Sequence, residues 1–216
     1  MYGSSYGYKT SLSKNMIQHL HKKYLILNKK LNFKDNSNII DIGSNDGSFL
    51  NFFASKSKNL QIFGIDPSAQ VFKKNYKKNI YLINDFFSKS KLFKFINKNK
   101  LKIKKFFLIT SFAMFYDLLK PNSFCKDINN LLSENGLWIS EFSYFPLLLK
   151  NLTYDQICHE HVAYYTLSTF KKIIEKNNLK IIDFTINEIN GGSIEVVCAK
   201  KNSSHKTNKR KIFNQI

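Results

Sequence analysis

IIDIGSNDGSFL, residues 39–50, decides how the rest of this chain is read. Ile39 to Ile42 is a short apolar β-run that breaks at a turn holding Gly43 and Gly47, after which Phe49, Leu50, Phe52 and Phe53 resume at helical spacing. A strand, a glycine turn and a helix N-terminus in that order let a ligand approach the main chain without meeting a Cβ. The spacing also separates nucleotide classes. A dinucleotide fingerprint reads GxGxxG, whereas Gly43 is followed by Ser44, Asn45, Asp46 and Gly47, and no GKS/T sequence occurs. Asp46 inside the turn would repel a phosphate and suits a cationic or amino-acid-like ligand.

Outward from the turn, a second apolar run at Gln61 to Ile65 ends in Asp66-Pro67, and a third at Ile80 to Ile83 ends in Asn84-Asp85. Asp66 at a strand tip is placed to accept hydrogen bonds from two ribose hydroxyls. Asp85 is placed to receive an adenine amino group. A glycine turn with two acidic strand tips describes a site for an adenosine without phosphates.

The remainder alternates strand and helix. Ser13 caps a predicted helix with Met16, Ile17, Leu20, Tyr24, Leu27 and Leu31 on one face. Further helices are predicted from Ser68 to about Tyr76, within 88–105, and from Pro121 or Asn122 to Ser133 with a C-cap at Asn135-Gly136. Strands are predicted at Phe106 to Phe112, Leu137 to Phe142, Lys180 to Ile186 and Ile194 to Ala199, with a helix from Ser168 to Asn177. The pattern predicts a parallel sheet covered on both faces, whose ligands bind beyond the C-terminal strand ends. Only residues 143–166 interrupt it, a connection long enough to suggest function. Residues 1–37 form an N-terminal segment and helix, 38–200 the domain, and 201–216 a basic tail with no core pattern.

Composition narrows the class. With 43% hydrophobic residues in 216 and no apolar run near the roughly 20 residues needed to span a bilayer, a soluble chain is expected. The N-terminus lacks the apolar core of a signal peptide, so a cytoplasmic location with no membrane partner is expected. Cys125, Cys158 and Cys198 are too widely spaced for a CxxC pair, so neither a disulfide framework nor a thiolate zinc site is indicated. The net charge is +19, yet Arg210 is the single arginine and the lysines travel with Asn, Ile and Phe. Phosphate forks and base readout favour arginine, so most of this charge is read as solvated faces rather than a nucleic-acid site. An anionic substrate would still be drawn by the field.

The interruption carries the reactive groups. Asp155-Gln156-Ile157-Cys158-His159-Glu160-His161 places three titratable side chains in a row, and HExxH is not met because Glu160 is followed by His161, Val162 and Ala163. One imidazole is read as a general base and its neighbours as groups that orient it. The residues alone do not choose between His159 and His161.

DIGSNDGSFL, GIDPS and NDFF resemble the cofactor motifs of class I S-adenosylmethionine-dependent methyltransferases. DQICHEHVAYYTLS, SEFSYFP at 140–146 and NGGSIEVV at 190–197 are similar to signatures of the narrower sugar C-methyltransferase family, which acts on nucleotide-linked keto sugars. The resemblance implies a Rossmann-like α/β sheet of seven strands, the last antiparallel and inserted between the fifth and sixth. It implies S-adenosylmethionine as cofactor, held by Gly43, Ser44, Asn45, Gly47, Asp66, Asp85 and Ser111. His161 would be the base, with Glu160 and His159 beside it, and no metal. Glu141, Tyr116, Tyr8, Asn190 and Gly191 would hold the nucleotide-activated keto sugar, with residues 2–11 lying over the site. Departures are Cys158, where some relatives have tyrosine, and Met114-Phe115-Tyr116, where some have histidine. The relatives' cysteine-rich zinc module and second α/β domain have no counterpart in these residues, so the expectation is either a minimal form or a fragment whose substrate site is finished by a partner subunit supplying the missing C-terminal domain. Sugar O-methylation, or a silent or nucleic-acid-binding methyltransferase-like protein, are the other readings.

Overall fold

The computed structural model describes residues 7–56 and 59–215, and the chain divides into two compact units, Met1–Phe106 and Phe107–Ile216. In the first unit, helix α1 (Lys14–Lys30) starts where Ser13 Oγ accepts the Met16 N–H at 3.2 Å. It buries Met16, Leu20, Tyr24 and Leu27. The Tyr24 ring meets Phe53 of helix α2 (Ser48–Lys56) edge-on, with centroids 4.9 Å apart. Strands β1 (Asn38–Ile42), β2 (Gln61–Ile65) and β3 (Ile80–Ile83) pair in parallel, with Ile40 opposite Phe63 and Ile65 opposite Ile83.

One predicted helix of this unit differs from the structure. Residues 68–76 form successive tight turns with one 3-10 turn at Lys73–Asn75. Ser68 gives both its N–H and its hydroxyl to the Asp66 carboxylate instead of opening a helix, and Val71, Lys73 and Lys74 are exposed, so there is no apolar stripe to bury. Helix α3 (Lys89–Lys98) lies within the predicted 88–105; Ser88 Oγ caps it by accepting the Lys91 N–H, and it ends before Lys100, which takes a left-handed φ of 55°.

The second unit follows strand β4 (Phe106–Phe112) with helix α4 (Pro121–Leu131), strand β5 (Leu132–Ser143), helix α5 (Phe145–Asn151), helix α6 (Leu167–Lys176), strands β6 (Leu179–Asn187) and β7 (Ser193–Lys200), and helix α7 (Lys209–Gln215). Its core is aromatic. Phe170 packs on Phe115 and Phe142 with centroids 4.9 and 4.8 Å apart, and buried Trp138 lies beside them. β7 runs antiparallel to both β5 and β6, and the sheet order is β3-β2-β1-β4-β5-β7-β6, as the family resemblance implies.

Three further expectations are corrected here. α4 ends at Leu131 and the chain straightens at once, so Asn135-Gly136 lies in β5 rather than capping a helix. After Leu132 no apolar residue follows until Leu137, which leaves a continued helix nothing to bury. The interruption after β5 holds a helix of its own, α5, begun by Pro146 in its first turn. The tail also has structure: α7 buries Ile212, pairs Lys211 with Asp183 at 2.8 Å, and sends Gln215 Nε2 to the Tyr144 hydroxyl at 3.0 Å. Among the described residues no helix is long and apolar enough to cross a membrane.

Candidate active site

The glycine turn after β1 is bonded on every side. Gly43 N–H donates to Ile65 C=O at 2.9 Å, which ties the turn to the end of β2. Asp66 Oδ2 accepts the Asn45 N–H at 2.9 Å, and Oδ1 accepts from the Ser68 N–H and hydroxyl. A carboxylate offers about four acceptor positions, so Asp66 keeps room for one further donor. That fits one ribose hydroxyl where the sequence suggested two.

Asn45, in a left-handed conformation at φ 46°, is the hub of the turn. Its side-chain oxygen accepts from the Thr10 N–H and hydroxyl at 2.9 and 3.1 Å, and its Nδ2 donates to Tyr8 C=O at 3.0 Å. Its carbonyl accepts the Tyr76 hydroxyl at 2.7 Å. Every polar group of Asn45 is thus engaged by the protein, and its part in holding a ligand is to shape the turn. Asp46 is engaged as well. Its Oδ1 accepts from Ser48 N–H and Oγ at the start of α2, and its Oδ2 accepts the Ser11 N–H at 2.9 Å. At 1% exposure it caps a helix rather than facing a cationic ligand, which corrects the sequence reading.

Tyr76 is the residue that sequence reasoning missed. It lies in a lysine-rich stretch with no motif to flag it. Its hydroxyl gives its proton to Asn45 C=O and so accepts from Ser44 Oγ at 2.9 Å. Burial raises the phenol well above its ordinary range, which keeps that proton in place. A Cβ on Gly47, whose φ is 77°, would stand 2.6 Å from the Tyr76 ring, so the glycine and the tyrosine require each other. Asp85 lies partly exposed at the tip of β3, where it accepts the Phe86 N–H and pairs with Lys91. Residues 2–6 of the expected overlying segment lie outside the described residues. From Tyr8 to Ser11 the segment is the strap just described, and the Tyr8 side chain is exposed.

In the second unit the two imidazoles of the loop are held differently. His161 Nδ1 lies 2.7 Å from Gln156 C=O. A carbonyl can only accept, so Nδ1 carries the proton and the lone pair of a neutral ring is on Nε2. The same carbonyl accepts the Tyr164 hydroxyl at 3.2 Å. The imidazole lies against the Tyr116 ring with centroids 4.1 Å apart, and Ala163 N–H donates to Tyr116 C=O at 3.1 Å. His159 is exposed, Glu160 is partly so, and among the described residues no hydrogen bond holds the His159 ring.

Glu141, near the end of β5, is 4% exposed and accepts from Asn187 Nδ2 at 2.9 Å. The Asn190-Gly191-Gly192 turn explains its glycines by packing. Gly191 has φ 76°, and a Cβ there would stand 2.4 Å from Thr153 Cγ2. Asn151 Nδ2 donates to Gly191 C=O at 2.9 Å, and Tyr144 N–H to Gly192 C=O at 2.9 Å, so the turn fastens the start of the loop. Asn190 itself is exposed. Ser111 is fully buried, its hydroxyl accepting from Trp138 Nε1 at 2.9 Å and donating to Ser140 Oγ at 3.1 Å, which makes it a core contact. Among the described residues no group of three or more His, Cys, Asp or Glu could hold a metal.

The methyltransferase-domain family Methyltransf_23 matches residues 14–183, which span the glycine turn, Asp66 and the whole loop. The chain belongs to this family. As a methyltransferase it uses S-adenosylmethionine. The geometry fits that cofactor in one respect: Asp66 is a buried carboxylate at the β2 tip with one acceptor position in reserve. A curated relative, the C-methyltransferase NovU of Streptomyces niveus, is 25% identical over 200 residues, covering 93% of this chain and 46% of NovU. This methyltransferase chain therefore spans about half the length of that relative. Among solved structures, the PH0226 protein of Pyrococcus horikoshii OT3 aligns with a TM-score of 0.66 at 15% identity over 90% of this chain and 95% of its own. The plantazolicin methyltransferase BpumL, solved with a triazolic desmethylPZN analogue and S-adenosylhomocysteine, aligns with a TM-score of 0.62 at 14% identity over 88% of this chain and 87% of its own.

Proposed function

We propose that this enzyme methylates the carbon beside a ketone on a nucleotide-linked deoxy sugar, with His161 as general base. The observation that carries the reading is the hydrogen bond from His161 Nδ1 to Gln156 C=O, which leaves Nε2 as an acceptor. NovU is a C-methyltransferase, which agrees with transfer to carbon.

The bound cofactor supplies a methyl group already activated on a sulfonium. The protein's task is then to align the acceptor and make it nucleophilic. A carbon beside a ketone becomes a nucleophile when it loses a proton. His161 Nε2 would take that proton, and with the bound cofactor's methyl passing from sulfur to the enolate carbon, its carbon–sulfur bond breaking and S-adenosylhomocysteine leaving, the imidazolium would return the proton to solvent. Glu160 and His159 flank the base, and the positive His161 ring formed in this step lies on the electron-rich face of Tyr116. Tyr116 is thereby a positioning residue for the base rather than a sugar contact. Asn190, exposed in the turn after β6, offers its side-chain amide to sugar hydroxyls, and Glu141 would stand beside the sugar near the end of β5. Asp66 accepts one ribose hydroxyl with its remaining position, and Asp85 takes the adenine amino group by exchanging its Lys91 contact.

Solvent-deuterium exchange tests the reading. With S-adenosylhomocysteine bound, a nucleotide-linked keto sugar should take up deuterium at the carbon beside the ketone, and His161→Ala should abolish the uptake. Turnover without any wash-in would overturn it in favour of O-methylation.

A further inference from the structure

The lysines are not spread as drift in composition would spread them. Residues 1–106 hold 21 of the 34 basic residues and five of the 15 acidic ones, a net +16 out of +19. Three of those five acids are buried: Asp41, Asp46 and Asp66. Asp85 is paired with Lys91 on α3, and Asp35 accepts from Asn59.

One layer of the first unit has no carboxylate at all. α1 packs on α2 through His21 and Phe52, with centroids 4.8 Å apart. On its other flank α2 holds residues 75–79: Asn51 Nδ2 donates to Asn75 C=O at 2.8 Å, Lys77 N–H donates to Asn51 Oδ1 at 3.0 Å, and Asn79 Nδ2 donates to Ala54 C=O at 3.1 Å. Residues 14–30, 48–56 and 69–79 therefore form a continuous layer that contains no Asp or Glu. Exposed on it are Lys14, Lys22, Lys29, Lys30, Lys73, Lys74, Lys77 and Lys78. So many uncompensated cations repel one another, a cost that an anionic partner removes.

The apolar residues of the layer indicate which anion. Lys22, Leu25, Ile26 and Lys29 share the outward face of α1 at helical spacing, opposite the buried Met16, Leu20 and Leu27. Leu25 and Ile26 are 52% and 43% exposed, and Val71 of the same layer is 50% exposed. Aliphatic tips ringed by lysines suit the boundary between lipid headgroups and acyl chains. A nucleic-acid groove would carry arginines and stacking aromatics, and the single arginine, Arg210, lies in α7. We propose that the α1–α2 layer docks on an anionic phospholipid surface, lying against the bilayer without crossing it. This amends the sequence expectation of solvated faces and no membrane partner.

Co-sedimentation of the full chain with vesicles of equal parts phosphatidylglycerol and phosphatidylcholine, against phosphatidylcholine alone, tests the proposal. Binding is expected with the anionic vesicles only. Lys22→Glu with Lys29→Glu should weaken it by about tenfold or more, at roughly a factor of five per lysine lost. Lys94→Glu with Lys98→Glu on α3 changes the net charge equally and should leave binding within about twofold. Leu25→Ser with Ile26→Ser keeps the charge and should also weaken binding. Thermal melts check that each variant folds, and Lys→Gln pairs replace any that do not. Failure to sediment, equal loss from both charge-reversed pairs, or indifference to the Leu25/Ile26 change with tighter binding to duplex RNA would each overturn the proposal.

Discussion

The glycine turn at 43–48 and the loop at 144–166 both carry polar side chains beyond the end of a strand, yet they are held in opposite ways. In the turn, Asn45 and Asp46 are bonded to Thr10, Ser11, Ser48, Asp66 and Tyr76, so the backbone is set before any ligand arrives. In the loop a single carbonyl, that of Gln156, holds both His161 and Tyr164, while Tyr154, Ile157 and Val162 are exposed. A binding turn gains affinity from being rigid in advance. A catalytic loop needs its base oriented and the rest of it free to admit a substrate.

Substitutions can break or sharpen this contrast. The largest effect is expected for His161→Ala, which should lower kcat by about a thousandfold, within the range for a lost general base, and leave the Kd for S-adenosylhomocysteine unchanged in calorimetry. His159→Ala should stay within about threefold, because its ring is not held; equal losses at both positions would erase the distinction drawn from the Gln156 contact. Asp66→Ala strands the Asn45 N–H and both Ser68 donors, so cofactor affinity should fall by roughly tenfold or more while enolate chemistry at saturating cofactor persists. Gly191→Ala forces a Cβ into Thr153 at a left-handed φ and should cost about 1–3 kcal/mol, read as a lower Tm, with kcat reduced and cofactor affinity intact. Tyr76→Phe keeps the ring against Gly47 but strands Asn45 C=O, a loss of about 1 kcal/mol or roughly fivefold in cofactor Kd, and kcat should not move. The smallest is a thiol titration. Cys158 is exposed, whereas burial pushes the Cys125 thiol up to about 12 and holds the Cys198 thiol well above its ordinary range, so one thiol should react in the native protein and the other two only on unfolding.

Much of the fold was legible because its signals are local. Continuous apolar runs marked β1, β2, β3 and β4, and Ser13 marked the start of α1. What misled was also local. Ser68 reads like a cap but serves Asp66, and Asn135-Gly136 reads like a helix end but lies in β5. Among the candidate site residues, Gly47 and Asp66 were visible from spacing, whereas Tyr76, Gln156 and Tyr164 act through partners 5 to 32 residues away and leave no periodic trace.

The sequence by itself determined the class of site: glycines where a backbone must bend, carboxylates at strand tips, and imidazoles in a long connection. Those are properties of residue type and spacing, which survive without coordinates. Tertiary structure decided which histidine is held and by which nitrogen, and that Asn45 and Asp46 are bonded to Thr10, Ser11, Ser48 and Tyr76 within the turn. Each of these depends on which distant groups share one hydrogen-bonding atom or one face, and only the folded chain brings those groups together.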